Sequence, residues 1–216
     1  MTPLVAIVGK SHSGKTTIMV EVIAELRRRG YRVASIKHSS QTIDIDQPGK
    51  DTWKFAEAGS DTVFISTPGK VALIKNTDHD LDILEMVHFM GSDFDVILVE
   101  GYHKSHLPKI EVVRADFGPD LLCPVQELSA VITDKPLNTG KPEFGTKDIE
   151  AITDFIENNF IIPAKGDTML FVNDQPVVMN RFVKDVVTRV ATGLVSALSD
   201  IGELRDIDIL IRKLRK

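Results

Sequence analysis

Cysteine is almost missing from this 216-residue chain: Cys123 stands alone and closes no internal disulfide. A disulfide-stapled secreted scaffold is thereby excluded, and a reducing cytoplasm is the expected setting. The same expectation follows from an amino end that enters an apolar strand with no charged and apolar leader pattern ahead of it. Long apolar runs are also lacking: none approaches the roughly 20 residues of a membrane-crossing helix, so no membrane association is expected. Basic charge is not in excess, because 26 Lys and Arg stand against 31 Asp and Glu, a net charge of -5. No global field draws the chain to nucleic acid, and any anion must be caught locally. Fixed-period repeats and low-complexity tracts are absent as well. What remains is 43% hydrophobic residues, enough at this length for one sizeable core.

Apolar patterning divides that content. Residues 4–8 form a short continuous apolar run, as expected of a strand buried on both faces of a parallel sheet. Ile18, Met19, Val22, Ile23 and Leu26 then recur at helical spacing, with Arg27 to Arg29 near the carboxyl end and Gly30 as the cap. Further strands are expected at 32–37, 96–99, 110–113 and 129–132, and helices at 51–58, 82–90 and 146–159. Residues 62–66 and 71–75 flank Thr67-Pro68-Gly69-Lys70, the pattern of an antiparallel hairpin at a sheet edge. Asn158-Asn159 and 163–167 read as a connector. Beyond it lie a hairpin (169–172 and 176–179), a helix capped by Asn180, and a last strand at 207–211. The expected fold is α/β: a mostly parallel sheet flanked by helices, with an edge hairpin and a small C-terminal β-β-α-β appendage. The expected domains are 1–163 and 164–216.

The loop between the first strand and helix carries the chemistry. Gly9-Lys10-Ser11-His12-Ser13-Gly14-Lys15-Thr16 fits G-x-x-x-x-G-K-[ST], with a strand before it and a helix after it. That is the pattern of P-loop NTPases. Glycine at both ends lets the backbone curl, so that the amides of Gly9, Ser11, Ser13 and Gly14 can face phosphate oxygens at the positive end of a helix. Lys15 is expected to bridge the β- and γ-phosphates, Thr16 to ligate Mg²⁺ through its hydroxyl, and Thr17 to reach the α-phosphate. His12 sits at the loop apex, where either solvent or a phosphate is open to it. Glu100 follows the apolar run 96–99 and should emerge at the strand's carboxyl end, the ligand-binding edge of such sheets. It is the carboxylate expected to hold Mg²⁺, with Asp46 a second candidate on a loop that also carries Asp44. Asp95, at the opposite end of that strand, is expected to be a turn residue. Cys123 is expected in the core.

These residues resemble the molybdopterin-guanine dinucleotide biosynthesis protein B (MobB) family. "VGKSHSGKTT" is similar to its nucleotide loop, "IKHSSQTIDIDQPGKDTWKFAEAGS" to its Lys-His and Pro-Gly-Lys-Asp segment, "VILVEGYHKSHLPKIEVVR" to its Glu-Gly segment and "AVITD" to its final strand motif. The resemblance implies a GTP-binding adaptor, often homodimeric, with slow intrinsic GTP hydrolysis. Its partner would be a MobA-like guanylyltransferase, which joins GMP to molybdopterin. It places Gly14, Lys15 and Thr16 on the phosphates and metal, and sets Asp46, Lys50, Asp51, Glu100 and Gly101 in matching segments. Asp134 falls where a guanine-reading aspartate would sit. A carboxylate there can accept from the guanine N1–H and 2-amino group, which adenine does not present. Lysine follows that aspartate here instead of preceding it by two residues, so a strand-terminal turn stays open as its role.

His103, Lys104, His106, Lys109 and Arg114 form a cationic cluster after Glu100, fit either for an anionic ligand such as the pterin phosphate or for plain solvation. The alternative function is a P-loop kinase or ligase acting on a small anionic substrate. It is weakened because no arginine-rich lid segment stands in mid-chain. A metal-delivery GTPase would need a Cys-Pro-His type loop, which is absent.

Overall fold

The computed structural model describes residues 2–39, 46–91, 93–118, 120–164, 168, 170–172, 175–198, 207 and 209. The chain divides into two compact units, Met1–His38 with Val87–Lys216, and Ser39–Met86.

In the first unit the apolar run becomes β1 (Leu4–Val8), every residue of which is buried. Its loop leads into α1 (Lys15–Arg28), whose Ile18, Met19, Val22 and Leu26 face inward, and whose chain turns away at Gly30 with φ of 92°. β2 (Val33–Lys37) follows. After the second unit the chain re-enters as β5 (Val96–Glu100), β6 (Lys109–Val113), β7 (Leu128–Thr133) and β8 (Glu143–Gly145). The six strands pair in the order β2-β5-β1-β6-β7-β8, all parallel. Parallel pairing buries both faces, and each side of β1 contributes to its own apolar layer. Val5 and Ile7 join the layer of α1 and α4 (Ile149–Ile156), while Ala6 and Val8 pack with Val113, Cys123, Leu128 and Val131. Cys123 is therefore a core residue, as expected, and burial raises its thiol pKa.

Helices α1 and α4 are tied at one end by Arg29, which pairs with Glu25 (2.8 Å), Asp154 (2.6 Å) and Glu157 (2.6 Å). Tyr31 donates its hydroxyl to Glu157, and that bond pushes its pKa up to about 12. The helix does not stop at Asn158-Asn159, where a connector was expected. It passes through a π-turn (Glu157–Ile161) into α5 (Ile162–Ala164), because Ile161 is buried and Phe160 packs on Phe155 with ring centroids 5.9 Å apart. Beyond it, β9 (Phe171–Val172) and β10 (Gln175–Pro176) pair antiparallel, so the hairpin is shorter than expected and Gln175 belongs to a strand. Asn180 caps α6 (Arg181–Ser196) as expected, accepting from the Val183 amide at 2.9 Å. The last strand, expected at 207–211, lies outside the described residues apart from 207 and 209.

The second unit holds α2 (Asp51–Glu57) and the hairpin β3 (Thr62–Thr67) with β4 (Lys70–Lys75). The turn residue Gly69 has φ of 86°, a conformation glycine adopts without cost. The hairpin forms its own two-stranded sheet and does not extend the edge of the six-stranded one. Its side chains explain why: Phe64, Ile65, Val71 and Leu73 are all exposed, so neither strand carries the fully buried run that joining the main sheet demands. Asp44 lies outside the described residues. α3 (Ile83–Met90) returns the chain to the first unit.

Candidate functional site

The loop from β1 to α1 is shaped by what stands beside it. Gly9 passes so close to β6 that a Cβ there would lie 2.4 Å from the Val112 carbonyl oxygen, and its φ is 143°. Only glycine fits both the space and the backbone. Gly14, with φ of 94°, turns the chain into α1. Ser11 and His12 are exposed at the apex, His12 in the left-handed region at φ of 63°. Ser13 is buried, and its hydroxyl has no partner among the described residues.

Lys15 folds back over this curve, donating to the carbonyls of Gly9 (3.0 Å) and Lys10 (2.7 Å). Partial burial pulls its ammonium pKa down; the charge of Glu100 opposes that shift and Lys37 adds to it. Thr16, next along the helix, donates its hydroxyl to Glu100 at 2.8 Å. Register explains the meeting. Ile7 of β1 and Lys37 of β2 both stand level with Glu100, so all three strands deliver their ends to one edge. The other carboxylate oxygen of Glu100 lies 3.3 Å from the Lys37 ammonium. From the sequence Lys37 entered only through the Lys-His segment of the resemblance, with no role at the site. The available signal was that its strand ends in a lysine while the strand after it in the sheet ends in a glutamate. His38 and Tyr102 meet beside this edge with ring centroids 4.6 Å apart and planes tilted by 47°.

A hydroxyl and a carboxylate oxygen 2.8 Å apart are hard donors of the kind Mg²⁺ takes, so Thr16 and Glu100 fit that ion. Among the described residues no group of three His, Cys, Asp or Glu side chains could hold a metal alone.

The remaining expected residues fall elsewhere. Thr17 is exposed on the first turn of α1. Asp134 is exposed at the end of β7, and one of its carboxylate oxygens accepts from the Ala115 amide at 3.0 Å, bracing the short 3₁₀ turn Ala115–Phe117. Asp46 belongs to the second unit, where one oxygen accepts from Thr52 (2.8 Å) and from the Gln47 amide (2.9 Å) while the other has no partner among the described residues. Asp95 stands at the opposite end of β5 from Glu100, as expected, and accepts from the Arg32 amide at 2.7 Å.

The cationic cluster does not hold together. Lys109 is a buried residue of β6 whose ammonium is fixed by Glu127 (2.8 Å) and the Ser105 carbonyl (2.5 Å), so it presents no charge to a ligand. His103, Lys104 and His106 stay exposed on the preceding loop. Arg114 instead stands at the phosphate loop: a Cβ on Gly14 would meet its Nη2 at 3.7 Å.

Comparisons with known proteins identify the chain's relatives. A protein-family model described as Molybdopterin guanine dinucleotide synthesis protein B matches residues 4–134. A Haemophilus influenzae protein named molybdopterin-guanine dinucleotide biosynthesis adapter protein is 37% identical over 158 residues, covering 72% of this chain and 88% of that protein. Its Escherichia coli namesake is 34% identical, covering 72% of this chain and 92% of its own length. A crystal structure of molybdopterin-guanine biosynthesis protein B superposes with a TM-score of 0.55 at 29% identity, over 72% of this chain and 98% of that one.

Proposed function

This chain belongs to the Molybdopterin guanine dinucleotide synthesis protein B family, and from that premise we propose that it is a GTP-binding adaptor with slow, Mg²⁺-dependent hydrolysis. It serves molybdopterin guanine dinucleotide biosynthesis, working in the cytoplasm beside a MobA-like guanylyltransferase that handles the molybdopterin.

The contact between Thr16 and Glu100 carries this reading. It joins the end of the phosphate loop to the end of a neighbouring strand through two Mg²⁺-type donors. Bound there, Mg²⁺ would neutralise charge on the β- and γ-phosphates. Lys15 would exchange the two loop carbonyls it now holds for phosphate oxygens, a stronger charge-assisted pairing. The amides of Gly9 to Gly14 supply the cradle, with Ser11, His12 and Ser13 shaping it and Thr17 set for the α-phosphate.

Hydrolysis also needs a group that positions the attacking water. In this reading Glu100 has one oxygen facing Lys37 and gives the other to Mg²⁺, so it is not assigned to the water and slow turnover is expected. Asp134 keeps its second oxygen for a guanine edge while the first braces the turn. A homodimer is supported by the hairpin, whose exposed Phe64 and Val71 are apolar surface that a second copy would cover.

Isothermal titration of GTP against ATP with Mg²⁺, followed by single-turnover phosphate release, tests the reading. GTP preference with slow release is expected. ATP preference with rapid transfer to an acceptor would instead identify a kinase or ligase. Lys15→Ala removes the cation of the β- and γ-phosphates and is expected to abolish binding; unchanged affinity would reject the cradle.

A further inference from the structure

We propose that Arg114 is a ligand of the nucleotide's phosphate tail, a cation set against the phosphate loop from β6, on the side away from Glu100. The proposal rests on the nucleotide-binding reading above. β1 lies between β5 and β6, so its loop has two flanks, the Thr16–Glu100 pair on one and Arg114 on the other.

The argument begins with charge. Arg114 leaves the end of β6 in an extended conformation, and its guanidinium lies 3.7 and 3.8 Å from where a Cβ on Gly14 would be. Gly14 is the amino-terminal cap of α1, a 14-residue helix with no acidic residue in its first turn. A helix amino terminus is positive and repels a cation, and Lys15 stands on the next residue. Such a position normally calls for a carboxylate partner, yet Arg114 makes no ion pair among the described residues. Two carboxylates share its cleft. Glu111 is committed to the amides of Leu122 (2.5 Å) and Cys123 (3.0 Å), and Asp120 is exposed. An arginine held at the positive end of a helix with no counter-ion among the described residues is arranged for an anion that arrives from outside.

Two further observations point the same way. Ser13 lines that cleft at 1% exposure with its hydroxyl unpartnered among the described residues, an unused donor on the loop itself. Asp134 braces the residue after Arg114, so the backbone that aims the guanidinium is held from β7. Asp134 is then a positioning residue for Arg114, whatever it reads on the base. A guanidinium's planar fork matches two phosphate oxygens, which a lysine in its place would not do.

The test measures affinity without chemistry. Binding of GTP, GDP and sodium tripolyphosphate is titrated calorimetrically with Mg²⁺ and again in EDTA, for the parent, Arg114→Gln and Arg114→Lys. Arg114→Gln is expected to weaken all three ligands by about ten- to a hundred-fold, with or without the metal. Arg114→Lys keeps the charge, loses the fork, and should weaken them by about three- to ten-fold. Parent-like affinity in either variant would overturn the proposal. So would a loss for GTP and GDP with tripolyphosphate unaffected, which would move Arg114 to the base or ribose. A parent that binds neither GTP nor tripolyphosphate would reject the nucleotide reading itself, a different failure.

Discussion

Gly9 and Gly14 open and close the same loop, and replacing each by alanine separates two costs that usually arrive together. At Gly14 the φ of 94° is strained for any residue with a side chain, but the nearest heavy atom to an added Cβ is 3.7 Å away. Its cost is backbone strain alone, about 1–2 kcal/mol. At Gly9 the φ of 143° is strained as well, and the added Cβ would meet the Val112 carbonyl oxygen at 2.4 Å and the Ser13 hydroxyl at 3.0 Å. Val112 O is backbone within β6, so no side-chain rotation relieves the overlap. Strain of about 1–3 kcal/mol and overpacking of similar size then add to about 4 kcal/mol. Against a total stability of about 5–15 kcal/mol that is a large fraction. For a chain of this length each kcal/mol lowers Tm by about 2–4 °C, so Gly9→Ala should lose about 8–16 °C and Gly14→Ala only a few degrees. Urea and thermal melts followed by circular dichroism measure both. Equal losses in the two variants, or a smaller loss at Gly9, would refute the claim that β6 crowds the loop.

Other consequences are as direct. Glu25 is bonded first to Arg28 and then to Arg29, which holds its carboxyl at about 2 against an ordinary 4.5. The folded-state value is depressed, so its contribution is present above about pH 4.5 and lost as pH falls toward 2. Glu25→Gln should flatten the stability profile across that window in acid-dependent melts; an unchanged slope would contradict the network. Glu127→Ala leaves the buried Lys109 ammonium with the Ser105 carbonyl alone, and should cost about 2 kcal/mol by urea denaturation, reduced because Glu127 is half exposed. Glu100→Gln should flatten the Mg²⁺ dependence of nucleotide affinity while binding in EDTA persists; identical Mg²⁺ titrations would remove Glu100 from the metal.

Legibility followed burial and length. The strand, phosphate loop and first helix were readable because a fully apolar run meets a motif whose glycines have a steric purpose, and Glu100 was readable because it ends another such run. The Asn180 cap was equally plain, since its side chain competes for a helix amide that nothing else satisfies. β8 gave no signal: three half-buried residues, Glu143–Gly145, carry neither an apolar run nor an alternation. Lys109 misled because lysine normally marks a surface, yet here it stands buried in β6, two residues before the equally buried Glu111. The helix beyond Asn158-Asn159 was hidden because packing of Phe160 and Ile161 outweighs two residues that favour turns. From sequence Arg114 was grouped with the cations that follow Glu100, and its place at the phosphate loop was not legible. Its neighbour is Gly14, exactly one hundred positions earlier, and only the strand order β1-β6 brings them together.

The central claim is that the curve from Gly9 to Thr16 grips the phosphate tail of a guanine nucleotide. A crystal structure with Mg²⁺ and a non-hydrolysable GTP analogue tests it most directly. The expected result places the β- and γ-phosphates against the loop amides and Lys15, with the metal at Thr16 and Glu100. An analogue seated elsewhere on the molecule, with that loop still closed on its own lysine, would contradict it.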